Sequence, residues 1–354
     1  MDSDTSRMQD IEPGQDWEVD LFRPEDAQGV VQIFRSVYGE GYPVRTYVDP
    51  NLLIAENAAR RTISTVARTP RGDVVGHNAL FNSAAHPGIY ESGAGAVHGA
   101  YRGGKGIFTR MVDHGLKVAE TFPMVNAVFC EPVCNHVFSQ KLTEKAGFAL
   151  RALEVDLMPA EAYEKEASAA GRVAAFLAFR TFRPRPHAVY LPAAYRDELL
   201  FLYENLDDDR EFQLSKDAVP RGTVSDIRAQ VFDAARVARV AVHEPGADFS
   251  SKINSLEREL QDKGVQVIQI WLNLACPWGG KAIESLSSHG FFLGGVLPRW
   301  FDDDGLLMQK ILRKPDWNEI SVHSERAAKI LKLVRADWDQ KASVLGFPNG
   351  RRQG

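Results

Sequence analysis

The sequence predicts an α/β protein built as two related domains. Three observations point there: a length of 354 residues, strands alternating with amphipathic helices, and two segments that recur in the second half at nearly one offset. Residues 1–16 are polar and are expected to be disordered. WEVDLF then alternates as a strand should, and RPEDAQGVVQIFRSVYG carries apolar positions at helical spacing. PNLLIAENAARR reads as a second helix, and RTISTVART and VVGHNALFNSA read as strands joined by a Pro/Gly turn. GIYESGAGAVHGA is a further strand that leads into the glycine-rich stretch AYRGGKGIF.

Beyond that loop, Ile107, Phe108, Met111, Val112, Leu116 and Ala119 recur at spacings of three or four, which predicts a helix ending near Glu120 with these residues on one face. MVNAVFC returns as a buried strand. NHVFSQKLTEKAG is a helix, with Asn135 as its cap and Gly147 as its end, and FALRALEVDLM is a strand. The first half therefore runs β, α, α, β, β, β, loop, α, β, α, β.

AVHGAYRGGKGIF from Ala96 matches AVHEPGADFSSKI from Ala241, an offset of 145 residues. VNAVFCEPVCNHVFSQKLTEKAGF likewise matches VIQIWLNLACPWGGKAIESLSSHGFF, strand then loop then helix ending at Gly-Phe, at an offset of 143. Two matches at so similar an offset predict an internal duplication. The expected organisation is a disordered 1–16, a first domain over 17–158, a helical linker over 159–186, a second copy over 187–313, and a C-terminal helix and tail over 314–354.

Composition narrows the function classes. The chain is 44% hydrophobic and 25% charged, with a net charge of −5 and no dense Lys/Arg block, so no nucleic-acid groove is expected. No basic leader followed by an apolar segment opens the sequence, and no run of about 18 apolar residues occurs, so neither export nor a membrane span is expected and the cytoplasm is the predicted location. Cys130, Cys134 and Cys276 are too few and too poorly spaced for a disulfide framework or a zinc site, and no metal is expected.

In AYRGGKGIF, closely spaced glycines let backbone N–H groups converge, and the following helix adds its positive end. That combination suits a phosphate, although a solvated surface turn would have the same composition. The spacing fits neither the P-loop nor the dinucleotide fingerprint. Together with the order of elements over 17–158 and with NHVFSQKLTEKAGF, it resembles the GCN5-related N-acetyltransferase (GNAT) family. For each of the two domains, the resemblance implies a mixed, mostly antiparallel central sheet flanked by helices. It also implies acetyl-CoA as co-substrate and direct transfer of its acetyl group to an amine of a small molecule or an amino-acid-like acceptor, with a homodimer allowed.

The family's loop pattern is [Q/R]xxGx[G/A]. Here YRGGKGIF carries one extra glycine and ends in Phe108. The resemblance assigns the pyrophosphate to Arg102, Gly103, Gly104, Lys105, Gly106 and Ile107, and the pantetheine arm to Asn135, for which a plain helix cap is the other reading. A backbone N–H of the fourth strand, at Val97 or His98, is expected to polarise the thioester carbonyl. The attacking amine must lose a proton, and Glu91, His98 and Glu131, in that order, are the candidate bases. Thr143 stands where the family often has a Tyr that protonates the departing thiolate.

In the second copy EPGADFSSKI has one glycine, Pro245 without an N–H, and the acids Glu244 and Asp248, so it is expected to bind no acyl-CoA. Two further readings stay open: an acyl-CoA-binding regulator without turnover, and an acyltransferase that uses a longer acyl-CoA or an acyl carrier protein.

Overall fold

The computed structural model describes residues 11–39, 42, 44–103, 106–159, 171–206 and 208–342. It is a mixed α/β structure in which mostly antiparallel strands carry helices on their faces. The chain divides into two units, one of residues up to Ser83 with Tyr90–Val128, the other of Ala84–Ile89 with Phe129 onward.

The first unit begins with β1 (Glu18–Leu21), α1 (Ala27–Tyr38), α2 (Pro50–Ala58), β2 (Thr62–Arg68), β3 (Val74–Asn82), β4 (Ile89–Val97) and α3 (Ile107–Thr121). β1 to β4 pair in sequence order, each antiparallel to the last. Helix α1 buries Ala27, Val30, Val31, Ile33 and Phe34 along one stripe, and burying a side chain such as Phe34 stabilises the unit by on the order of 2–3 kcal/mol. Helix α2 starts where it does because Asp49 accepts from the Asn51 and Leu52 amides and Pro50 fills the first helical position.

Two expectations change here. Of the segment 1–16 expected to be disordered, residues 1–10 lie outside the described residues, while Ile11 sits against a core of Tyr101, Ile107 and Met111, and the Tyr101 hydroxyl donates to the Glu12 carbonyl at 2.7 Å. Phe108 leaves the buried face of α3, which is formed by Ile107, Met111, Val112, Gly115, Leu116 and Ala119. The expected order of elements holds.

β5 (Ala127–Cys130) crosses the division between the units, which therefore does not fall at the expected border near residue 158. The second unit continues with α4 (Phe138–Lys145), β6 (Ala149–Pro159), β7 (Arg172–Thr181), β8 (His187–Leu191), α5 (Arg196–Tyr203), β9 (Arg210–Leu214) and β10 (Asp226–Phe232). It ends with β11 (Val237–Glu244), α6 (Phe249–Asp262), β12 (Val267–Asn273), α7 (Gly279–Ser288), β13 (Phe292–Leu297), β14 (Gly305–Ile311) and α8 (Glu325–Lys341). Its sheet runs β5-β7-β6-β13-β14-β12-β11-β10, while β8 and β9 form a separate parallel pair.

The helical linker is corrected in this unit. RVAAFLAFRT is strand β7, buried along most of its length between β5 and β6. A continuous apolar run reads equally as a buried strand or a buried helix, and its alanines tipped the reading the wrong way. Residues 160–170 of that linker lie outside the described residues. Helix α4 starts at Phe138, capped by Val137, so Asn135 stands in the preceding bend and is not the cap. Gly147 ends α4 as expected, at φ +79°.

From β8 to β14 the described elements run β, α, β, β, β, α, β, α, β, β, the order of β1 to β7 less one helix. β13 meets β6 at Gly295 opposite Ala152. Among the described residues no helix is long and apolar enough to cross a membrane.

Candidate functional site

In the first unit, strand β4 pairs with β3 in register on either side of an irregularity between His77/Ala96 and Ala79/Gly93. Two residues, Ala94 and Gly95, stand there opposite the single Asn78, which makes a β-bulge. Ala94 has φ +49°, a left-handed conformation that costs an alanine on the order of 1–2 kcal/mol. Such strain persists only where the surroundings impose it.

Past β4 the chain makes a short 3-10 turn at Gly99–Tyr101 and enters the glycine loop. Gly103 and Gly106 take φ +87° and +71°, and a Cβ at either would meet nothing within 4 Å. These glycines are thus required by backbone conformation and not by crowding. Gly104 and Lys105 lie outside the described residues. Gly106 caps α3 without any side-chain bond, and the first intrahelical bond runs from Arg110 N–H to the Gly106 carbonyl. The Ile107, Phe108 and Thr109 amides therefore have no partner within the helix. Val97, Tyr101, Arg102, Gly103, Gly106, Ile107, Phe108 and Thr109 line a cleft of about 330 Å3.

The expected residues fall around this frame unequally. Arg102 turns back and donates from Nε to the Val97 carbonyl at 2.9 Å. The His98 amide donates to the Val75 carbonyl at 3.0 Å, so it is committed to the strand ladder and the expectation that it polarises a ligand carbonyl is corrected. Its ring lies 6.2 Å from that of Tyr101. Glu91, on β4 before the bulge, is half-buried and accepts from the Ser83 hydroxyl at 2.7 Å. A Cβ on Gly93 would lie 3.1 Å from its Oε1, which places the carboxylate beside the residue that precedes the bulge.

An aromatic group that the sequence reading did not single out gathers on Phe34, with Phe81 opposite Glu91 in the β3–β4 register. Phe34 packs on Tyr38, Tyr42 and Tyr47 at 5.6, 4.9 and 5.0 Å, and Tyr47 reaches Phe81 at 6.4 Å. Burial, then neighbouring phenols and the Glu91 charge, push the Tyr42 and Tyr47 phenols far above their ordinary range. His77 sits beneath this group, fully buried, and burial drops its imidazole to about 4. The available signal was one histidine inside the apolar run VVGHNALF.

In the second unit Glu131 is half-buried and pairs with Arg239 at 2.8 Å; Arg239 also reaches the fully buried Glu154 at 3.3 Å and donates to Gln269. Thr143 is buried, its hydroxyl 3.6 Å from the Cys130 thiol. At the start of α6, the Gly246 amide donates to Ser225 Oγ and the Ala247 amide to the Thr223 carbonyl. Asp248 accepts from the Ser225 amide and hydroxyl and pairs with Lys252, contacts that hold its carboxyl far below the usual range, the Ser225 amide foremost. The segment Thr223–Ser225 thus occupies the mouth of this helix, and a Cβ on Gly246 would lie 2.4 Å from the Thr223 carbonyl oxygen.

Several solved structures similar to this chain are GNAT-family acetyltransferases, each matching about half of it. The ribosomal-protein-S5-alanine acetyltransferase of Vibrio fischeri is 13% identical, with 48% of this chain and 95% of that chain covered and a TM-score of 0.37. A phosphinothricin acetyltransferase of Sinorhizobium meliloti, solved in complex with AcCoA, is 17% identical, with coverage of 47% and 89% and a TM-score of 0.38. A mutant spermidine N-acetyltransferase of Vibrio cholerae is 11% identical, with coverage of 47% and 94% and a TM-score of 0.36. No protein-family model and no curated protein matches the chain.

Proposed function

We propose that the chain is an acyl-CoA-dependent N-acetyltransferase that moves an acetyl group from acetyl-CoA directly to the amine of a small molecule or an amino-acid-like acceptor. One observation carries this reading. A bulged strand leads through two glycines at positive φ to a helix start whose first amides have no partner within the helix and border a cleft. Convergent amides at a positive helix end favour a pyrophosphate, and backbone donors need no reorganisation to hold it. Gly103, Gly104, Lys105, Gly106 and Ile107 would supply that cradle, with Arg102 beside it. Asn135 is assigned to the pantetheine arm on the resemblance alone.

In the reaction, the uncharged amine attacks the thioester carbonyl carbon and oxygen takes up negative charge. The C–S bond then breaks, coenzyme A leaves as a thiolate that takes up a proton, and the amine's proton passes to a base directly or through one water. Glu91 is the preferred base because it stands beside the bulge with Ser83 orienting one oxygen. Glu131 is already engaged by Arg239, and His98 is the remaining candidate. Binding without turnover is the second reading, favoured by Thr143, whose buried hydroxyl faces a thiol where the family's Tyr would protonate the leaving group.

The repeated order of elements supports residues 187–313 as a second copy of a first domain that begins at 17 and runs on past 158 through β7. Its helix start is filled by Thr223–Ser225 and Asp248, which argues against a second donor site. A thermal-shift screen of the full chain with coenzyme A and acyl-CoAs of increasing length tests the donor, since a ligand of the folded state raises apparent stability by mass action. Stabilisation by acetyl-CoA, lost in Gly106→Val, is the expected result; no stabilisation by any of these ligands overturns the proposal.

A further inference from the structure

We propose that His77 and Tyr38 are positioning residues that clamp the β4 bulge, fixing both peptide planes that flank Gly95 so that this segment presents its backbone to the thioester. The inference rests on the acetyl-CoA reading above. It starts from the two bulge carbonyls, each held by a side chain of a different element. The Ala94 carbonyl lies 2.9 Å from His77 Nδ1, and the Gly95 carbonyl accepts from the Tyr38 hydroxyl at 2.7 Å.

A carbonyl only accepts, so the bond to Ala94 requires the proton on Nδ1. Nε2 is then an acceptor, and the Ser64 hydroxyl stands 3.0 Å from it. Ser64 is fixed in turn: its amide donates to Asn57 Oδ1 at 2.8 Å, and Asn57 Nδ2 donates to the Ser64 oxygen at 3.2 Å and to the Leu53 carbonyl at 3.0 Å. Every donor in this chain from α2 to the bulge is matched to an acceptor only when the imidazole is neutral. Phe34 and Tyr47 hold the ring edge-on, with centroids 5.4 Å away in each case.

The peptide bond is trans and planar, so N–H points opposite to C=O across it. With the Ala94 carbonyl turned to His77, the Gly95 N–H is directed away from His77. Tyr38 fixes the next plane, leaving Gly95 little freedom despite its lack of a side chain. Such pre-set backbone dipoles act on developing charge without reorganisation, which is where the strain at Ala94 finds a use.

The test needs no acceptor substrate. Acetyl-CoA carrying 13C at the carbonyl is bound to the full-length wild type, Tyr38→Phe and His77→Gln, and the carbonyl stretch is read by infrared difference spectroscopy beside calorimetric affinities. The wild type is expected to lower the bound stretch, and Tyr38→Phe to lose about half or more of that shift with an affinity within about twofold of wild type. Tyr38 is exposed, so Tyr38→Phe folds, and His77→Gln, which keeps a donor for Ala94 and an acceptor for Ser64, is expected to retain the wild-type shift. Binding with an unchanged shift in Tyr38→Phe overturns the clamp alone. No binding of acetyl-CoA to the wild type overturns the acetyltransferase reading as well.

Discussion

His77 makes the first unit sensitive to acid in a way that can be worked out. Its imidazole is fully buried, and burial, opposed by the Ala94 carbonyl, brings it from 6.5 to about 4. The folded chain therefore keeps His77 neutral across a range where the unfolded chain protonates it. Above about pH 6.5 neither state takes the proton and nothing is lost; between about 6.5 and 4 the unfolded state gains; below about 4 the loss is complete. The full effect is on the order of 3 kcal/mol, of which about 2 kcal/mol is expressed at pH 5. His77→Gln keeps a donor for Ala94 and an acceptor for Ser64 but has no proton to bind. Hydrogen exchange of the β3 and β4 amides, read at pH 7 and pH 5, reports local opening in this unit without assuming that the whole chain unfolds in one step. The wild type should lose about 2 kcal/mol more opening free energy than His77→Gln over that interval, since other titrating groups are common to both. Equal losses would refute the claim that His77 is held neutral by burial.

Three further outcomes follow from the same geometry. Glu91→Gln should slow acyl transfer to small amines by about a hundredfold at pH 7, with partial recovery as pH approaches the amine's own pKa, measured by thiol release; wild-type rates would move the base to His98, Glu131 or water. Phe108→Ala should bind coenzyme A more tightly in calorimetry, because the Phe108 ring lines the cleft and packs so closely on β4 that a Cβ on Gly95 would lie 2.3 Å from it; weaker binding would make the ring a ligand contact. Gly295→Ala should destabilise the second unit by on the order of 3 kcal/mol or more in urea, since a Cβ there would lie 2.4 Å from the Arg151 carbonyl oxygen, and a neutral effect would mean that β6 and β13 part easily.

The order of elements from Trp17 to Met158 was legible because α1 and α3 carry an apolar stripe, α2 and α4 are bounded by Asp-Pro and Gly, and the strands are bounded by turn residues. Arg172–Thr181 was not, since a strand buried on both faces loses the alternation that identifies it. The glycine loop announced itself by composition, whereas the bulge did not: nothing in YESGAGAV says that Ala94 rather than a glycine takes the left-handed conformation. Glu91 is a candidate base through the resemblance alone, whereas the tyrosines that gather on Phe34 come from positions 38, 42 and 47, whose convergence depends on how α1 and α2 pack. His77 is the clearest miss, because a buried histidine looks the same in sequence whether it fills a core or aims a backbone. At the second helix start the sequence shows the acids, but not that Ser225 Oγ and the Thr223 carbonyl accept from the Gly246 and Ala247 amides just ahead of α6.

Calorimetric titration of the full chain with acetyl-CoA tests the central claim most directly. One site per chain, absent in Gly106→Val, is the predicted result. No binding would contradict the acetyltransferase reading, and two equivalent sites would contradict the account of the second helix start as closed by its own backbone.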